Sequence, residues 1–172
     1  MEFLDLAARR FSTLHYTGEP ISQEVLEQVL RAGQLAPTAC NFQPQRIWVF
    51  TEPEARKKIQ EVTHSSLPFP AALLVCYDET ACWRRPTDGK LSGEIDASIV
   101  ATHMMLAATD LGLGSIWVMS WDPEQMCRAF ELPEHTVPVA LLILGYPAPD
   151  ERPRPTHLSR KELAETVRFE TA

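Results

Sequence analysis

The chain has 172 residues, 45% of them hydrophobic and 23% charged, which fits one globular domain over residues 1–172 and excludes an intrinsically disordered chain. Its formal net charge of −7 at pH 7 argues against nucleic acid or an anionic membrane as the main partner, leaving room for a local basic pocket. No apolar run approaches the roughly 20 residues of a membrane span.

The first ten residues carry Glu2, Asp5, Arg9 and Arg10 in place of a signal-peptide apolar core. Cys40, Cys76, Cys82 and Cys127 form no CxxC and have no histidine at metal-ligand spacing, so they read as small hydrophobes and reduced thiols. The expectation is a soluble cytoplasmic protein.

Residues 2–11 read as a short helix ended by TGEP. Ser22 is a good N-cap for a second helix running to about Ala36, with Val25, Leu26, Val29, Leu30 and Gly33 on its apolar face. The polar junction APTACNFQPQ follows, then a strand, RIWVFT. Thr51 with Glu54 has the form of a capping box for a helix through about Val62. SSLPFP is a proline-rich connector into AALLVCY, a buried strand.

Residues 78–93 are polar and turn-rich, the longest irregular stretch, a lid or binding-loop candidate. The next helix, EIDASIVATHMMLAATDLGLG, is apolar nearly all round and is therefore covered on several sides, hinting at a second subunit. Strand SIWVM, a helix opening at Asp122-Pro123 and strand VPVALLILGY complete the main elements. Ser159 and Glu162 predict a second capping box for a short C-terminal helix or extended tail. The order α-α-β-α-β-loop-α-β-α-β-tail implies one α/β or α+β domain in three layers.

Hydrolytic or metal machinery is not visible. GLG follows a helix instead of a strand, so it reads as a helix C-cap, not a dinucleotide loop. There is no GxxxxGK[ST], GxSxG or HExxH, and the five histidines are scattered. Asp96 at the head of the long helix reads either as a favourable charge at a helix N-terminus or as a functional carboxylate. Reactivity would therefore come from a cofactor. Arg9, Arg10 and Ser12 close the first helix, and Arg160 with Lys161 opens the last. Such groups suit a phosphate monoester, although taken alone ordinary surface charge is the simpler reading.

The stretch Arg10-Phe11-Ser12-Thr13-Leu14-His15-Tyr16, then GEPISQEVLEQVLRAGQLAPTACNFQPQRIWVF, resembles the start of the FMN-dependent nitroreductase family. EIDASIVATHMMLAATDLGLGSIWV, LGYP at 144–147 and RKELAETV continue the resemblance in order over nearly the whole chain. It implies an α+β, three-layer α/β/α fold with a central mixed, mainly antiparallel sheet flanked by helices, in a short, compact member.

The resemblance also implies a homodimer with two FMN molecules at its interface. Arg10 and Ser12 would bind the FMN phosphate and ribityl chain, with Arg9 beside them, and Arg160 with Lys161 would complete the phosphate site. Pro37, Thr38, Asn41 and Gln43 would reach the flavin of the other subunit. Leu113, Gly114 and Ser115 would present backbone to the isoalloxazine, glycine allowing close approach.

Three departures stand out: Leu14 where the family commonly has a second basic residue, Thr38 for the usual serine, and a shortened HSSLPFP. The cofactor interaction of a basic residue at position 14 would be missing or supplied by His15 or Arg9.

The activity implied is ping-pong hydride transfer from NADH or NADPH, through FMN, to a planar acceptor such as a nitroaromatic or quinone. Dehalogenation, enoyl reduction or flavin destruction on the same fold is an alternative, as is a non-catalytic FMN-binding protein. Trp83, Arg84 and Arg85 in the 78–93 stretch could stack on nicotinamide or grip an NADP phosphate. A solvated loop is the simpler reading there.

Overall fold

The computed structural model describes residues 2–65 and 67–170; within the connector SSLPFP, Ser66 lies outside them. Strands β1 (Gln45–Phe50), β2 (Ala71–Asp78), β3 (Gly114–Val118) and β4 (Thr136–Gly145) form a sheet in the order β1-β2-β4-β3. Every strand pair in it is antiparallel. Among the described residues, the parallel component of the expected mixed sheet is a single bridge, Ser12 to Ser115.

Central strands bury both faces, which explains why β2 and β4 read as continuous apolar runs. Alternate residues go to opposite sides. Ala71, Leu73 and Val75 of β2 join Ala140, Leu142 and Leu144 of β4 in one core. Ala72, Leu74 and Cys76 join Leu141 and Ile143 in the other.

The first core is closed by α2 (Gln23–Gln34) and α4 (Gly93–Asp110), the second by α3 (Pro53–Thr63) and α5 (Pro123–Ala129). This is the three-layer α+β arrangement. Gly33 sits where a Cβ would meet Met104 Cγ at 2.8 Å, so glycine lets α2 pack closely on α4.

α1 (Phe3–Arg9) precedes these layers, and two single-turn helices, α6 (Pro155–Leu158) and α7 (Leu163–Thr166), follow β4. Ser22 caps α2 as expected, accepting from the Val25 amide. Two other caps differ from expectation. α3 starts at Pro53 with Glu52 as N-cap and no side-chain cap bond. Proline is preorganised for the first helical position and forces its predecessor to stay extended, so the helix cannot begin on Thr51. Ser159 ends α6, and the capping box is Glu162 with Glu165, three residues later. Glu162, extended at ψ 146°, donates its amide to Glu165 Oε1 at 3.0 Å, and the Glu165 amide returns to the Glu162 backbone carbonyl at 2.9 Å.

Candidate active site

The site is built from two pockets at opposite ends of α4. At its C-terminal end Gly112 takes a left-handed φ of 80°. Its amide bonds Thr109 and the Leu113 amide bonds Ala108 at 2.8 Å. That is the helix C-cap expected of GLG. Beyond it, the Ser115 carbonyl accepts from the Thr13 amide at 3.0 Å, and the His15 carbonyl accepts from Ala148 at 2.9 Å. The 12–17 segment is thereby laid across the sheet edge between β3 and the end of β4.

The resulting pocket, about 250 Å³, is lined by Arg9, Arg10, Thr13, Leu113, Gly114 and Arg152 among others. Neither Arg9 nor Arg10 takes part in an ion pair among the described residues. Three guanidinium groups thus gather in a protein of net charge −7. The hydroxyls of Thr13 and Ser115 are buried without hydrogen-bond partners among the described residues, which is costly unless something else engages them.

Gly114 has a closer reason to be glycine than flavin approach: an added Cβ would meet Thr13 Oγ1 at 2.4 Å. Tyr16 braces the segment by donating from its hydroxyl to the Thr13 carbonyl at 2.9 Å. Burial, with the Glu151 charge, pushes that phenol well above its ordinary range.

Leu14 contributes no cation here. Its backbone amide donates to Glu151 Oε1 at 2.9 Å, and His15 Nδ1 lies 2.7 Å from Glu151 Oε2. Burial raises the Glu151 carboxyl, but these bonds to Leu14 and His15 outweigh it and hold the group below the usual carboxylate range.

Arg160 and Lys161 are exposed and do not line this pocket. Arg160 donates to the carbonyls of His157 and Ser159, as Arg152 Nη1 does to those of Pro149 and Glu151 at 2.9 and 2.7 Å. The late arginine that lines this pocket with Arg10 is Arg152. Sequence reasoning missed it, along with Thr13 and Glu151. The signal that could have found Arg152 was its position shortly after LGYP, the motif that ends β4.

At the N-terminal end of α4 lies the 36–43 junction. Cys40, Asn41 and Gln43 have φ of 50°, 57° and 52°, a run of left-handed non-glycine residues that stores strain. Thr38 Oγ1 accepts from the Gln43 amide at 3.0 Å, and Gln43 Nε2 donates to the Asn41 carbonyl at 3.3 Å. Among the described residues, the Thr38 hydroxyl hydrogen and the Gln43 side-chain amide oxygen stay free to engage a ligand. Buried Asp96 anchors the loop, accepting from the Ala39 amide at 2.9 Å and the Ser92 hydroxyl at 2.7 Å.

The stretch 78–93, expected to be irregular, is folded. Asp78 caps a 3-10 turn at Glu79–Ala81. Arg84 bridges Leu91, and the amides of Ser92, Arg85 and Gly89 bond Trp83, Lys90 and Arg85 carbonyls at 3.0, 2.9 and 2.9 Å. This hairpin faces Pro37–Ala39 across a pocket of about 340 Å³.

The model of the nitroreductase family matches residues 7–75 and 69–146. A crystal structure of a nitroreductase family protein from Clostridium difficile 630 is 39% identical, with a TM-score of 0.89 over 100% of both chains. The FMN reductase [NAD(P)H] of Bacillus subtilis is 28% identical over 88% of this chain and 73% of its own length. A structure from Exiguobacterium sibiricum 255-15, solved in complex with FMN, shares the fold at 20% identity, with a TM-score of 0.86 over 99% and 98% of the two chains. From the Arg10 segment through the end of β4, sequence and fold agree: the chain belongs to the nitroreductase family of oxidoreductases.

Proposed function

We propose that this protein is a single-domain, FMN-dependent NAD(P)H oxidoreductase that reduces planar acceptors such as nitroaromatics or quinones, acting as a homodimer. The observation that carries the reading is the separation of the two pockets. From Asp96 to Leu111 a helix advances roughly 20 Å at about 1.5 Å per residue. One bound flavin would not meet both the arginine pocket and the 37–43 loop of the same chain.

A two-fold pairing of α4 with α4 of a second copy would place the C-terminal pocket of one chain beside the loop of the other. The outer face of α4 suits such pairing: Ile95 is 54% exposed, and Ile99, Thr102, His103 and Leu106 continue one stripe at helical spacing without being buried. Exposed Leu158, Leu163, Val167 and Phe169 in the tail offer further apolar surface to a partner.

FMN fits the groups present. Arg9, Arg10 and Arg152 would hold its phosphate through charge-assisted bonds, with exposed Ser12 beside them. The orphan hydroxyls of Thr13 and Ser115 mark where buried polar groups lack a partner within the protein. Thr38 and Gln43 of the partner subunit would present a hydroxyl donor and an amide acceptor at the ring edge, with Asn41 beside them. When bound, FMN supplies two-electron chemistry, accepting a hydride from NADH or NADPH and returning reducing equivalents to the acceptor. The protein orients both reactants and excludes water.

Anaerobic mixing with NADH and with NADPH is the test. Loss of flavin absorbance with at least one is expected; an FMN-loaded protein that neither bleaches would overturn the reductase reading.

A further inference from the structure

The hairpin at 83–92 turns two of its own charges inward: Arg84 Nη1 donates to the Gly89 carbonyl and Arg85 Nε pairs with Asp88, each at 2.8 Å. Lys90 makes no ion pair among the described residues. Its backbone amide bonds Asp88 Oδ1 at 3.1 Å, and the residue lines this pocket together with Arg85. The remaining walls are mainly apolar, with the Trp83 indole, Pro37, Leu91 and Ile99 among them. Asp96 is the carboxylate in the lining, and both its oxygens are occupied by Ala39 and Ser92. Glu94 lies beside Lys90 only in the neighbouring groove.

An apolar slot with an aromatic wall and an unmatched cation at its rim fits a flat ring carrying an anionic substituent. We propose that this pocket is the acceptor site, that its substrates are planar aromatics bearing a carboxylate or sulfonate, and that Lys90 is the specificity-determining residue. This rests on the reading that a flavin of the second copy meets the 37–43 loop, since Pro37 and Thr38 belong both to that loop and to the pocket.

Neutral and anionic acceptors of one shape gain the same stacking on Trp83. Only the anion gains the charge-assisted bond to Lys90; Asp88 offsets Arg85, and the Asp96 carboxylate is committed to Ala39 and Ser92, so the preference comes from direct contact with the Lys90 ammonium and not from the net charge of the pocket.

The test compares 4-nitrobenzoate with its neutral isostere 4-nitrobenzamide on the FMN-loaded protein. Calorimetric titration of the oxidised protein reads binding without turnover. Steady-state kcat/KM with NADH or NADPH reads the same preference in catalysis: the nitro group takes two electrons and two protons from NAD(P)H and H⁺, becomes nitroso, and releases water.

The expected result is about a tenfold preference for the carboxylate in both measurements. Lys90→Gln should bring the ratio close to one, and Lys90→Arg should restore it. Equal binding of the two compounds, or a preference that survives Lys90→Gln, would overturn the proposal. If neither nicotinamide reduces the flavin, the oxidoreductase reading falls, while the calorimetric ratio still decides what this pocket binds.

Discussion

Asp96 and Ala39 lie 57 positions apart, and the Asp96 carboxylate accepts the Ala39 amide at 2.9 Å. With its other oxygen the same carboxylate accepts the Ser92 hydroxyl at 2.7 Å. One buried side chain therefore ties the strained 38–43 loop to the start of α4 and to the end of the 83–92 hairpin. The charge serves to hold the loop in shape.

Asp96→Ala is expected to leave the Ala39 amide and Ser92 hydroxyl unpaired, costing about 1–3 kcal/mol. Asp96→Asn keeps one acceptor oxygen, and the Ser92 hydroxyl can turn to accept from the amide, so it should cost less. Urea unfolding measures the stability loss, and hydrogen exchange at 38–43 should show faster opening in the alanine variant.

Arg10→Ala and Arg152→Ala each remove one guanidinium from the pocket proposed to hold the FMN phosphate. Each is expected to weaken FMN binding by about 10- to 100-fold, the equivalent of about 1.5–3 kcal/mol for a charged hydrogen bond. Arg160→Ala, outside the lining of that pocket, should have a smaller effect. Fluorescence of released flavin at equilibrium distinguishes the three, and a larger loss for Arg160 would restore it as the phosphate ligand.

Gly114→Ala would set a Cβ 2.4 Å from Thr13 Oγ1. Thr13 is fully buried and cannot swing clear, so the variant should lose about 1–3 kcal/mol from overpacking. Thr13→Ala in the same chain should recover part of that loss by removing Oγ1 and Cγ2. Thermal unfolding of the single and double variants checks the coupling.

The Glu151 tie to Leu14 and His15 should make stability depend on pH in a defined direction. Its folded-state carboxyl is held below the ordinary value of about 4.3. Its contribution is therefore fully present above that value and is lost as pH falls through the folded pKa. The stability difference between the protein and Glu151→Gln should shrink on acidification below about pH 4.3, as denaturant midpoints between pH 7 and 3 would show.

Ile95→Glu places a charge on the exposed stripe of α4, beside Glu94. The expected product is a folded monomer that no longer retains FMN, seen together in light scattering and flavin content. A monomer that keeps its flavin would separate cofactor binding from dimerisation and contradict the shared site.

Much of the fold was legible because its signals are local. The helical repeat from Val25 to Gly33 needed only α2 itself, and the apolar runs of β2 and β4 announced central strands before their neighbours were known. The caps of α3 and α7 were misplaced by a few residues, since several residues near each start could serve and backbone geometry chose among them. The 83–92 hairpin was illegible for a different reason. Its polar residues have no periodicity, and its order comes from a bridge and from side chains such as Arg84 and Asp88 turned back on the backbone.

By itself, the sequence determined the order of helices and strands, the two-sided burial of the central strands, and the family resemblance carried by Arg10, the 37–43 loop and LGYP. Only the tertiary structure decided which cation joins Arg10, why Gly114 is glycine, and that the two halves of the candidate site lie at opposite ends of α4. Periodicity is a property of neighbouring residues. That Arg152 lines one pocket with Arg10 depends on long-range bonds such as Ala148 to His15 and Leu14 to Glu151, which no spacing along the chain encodes.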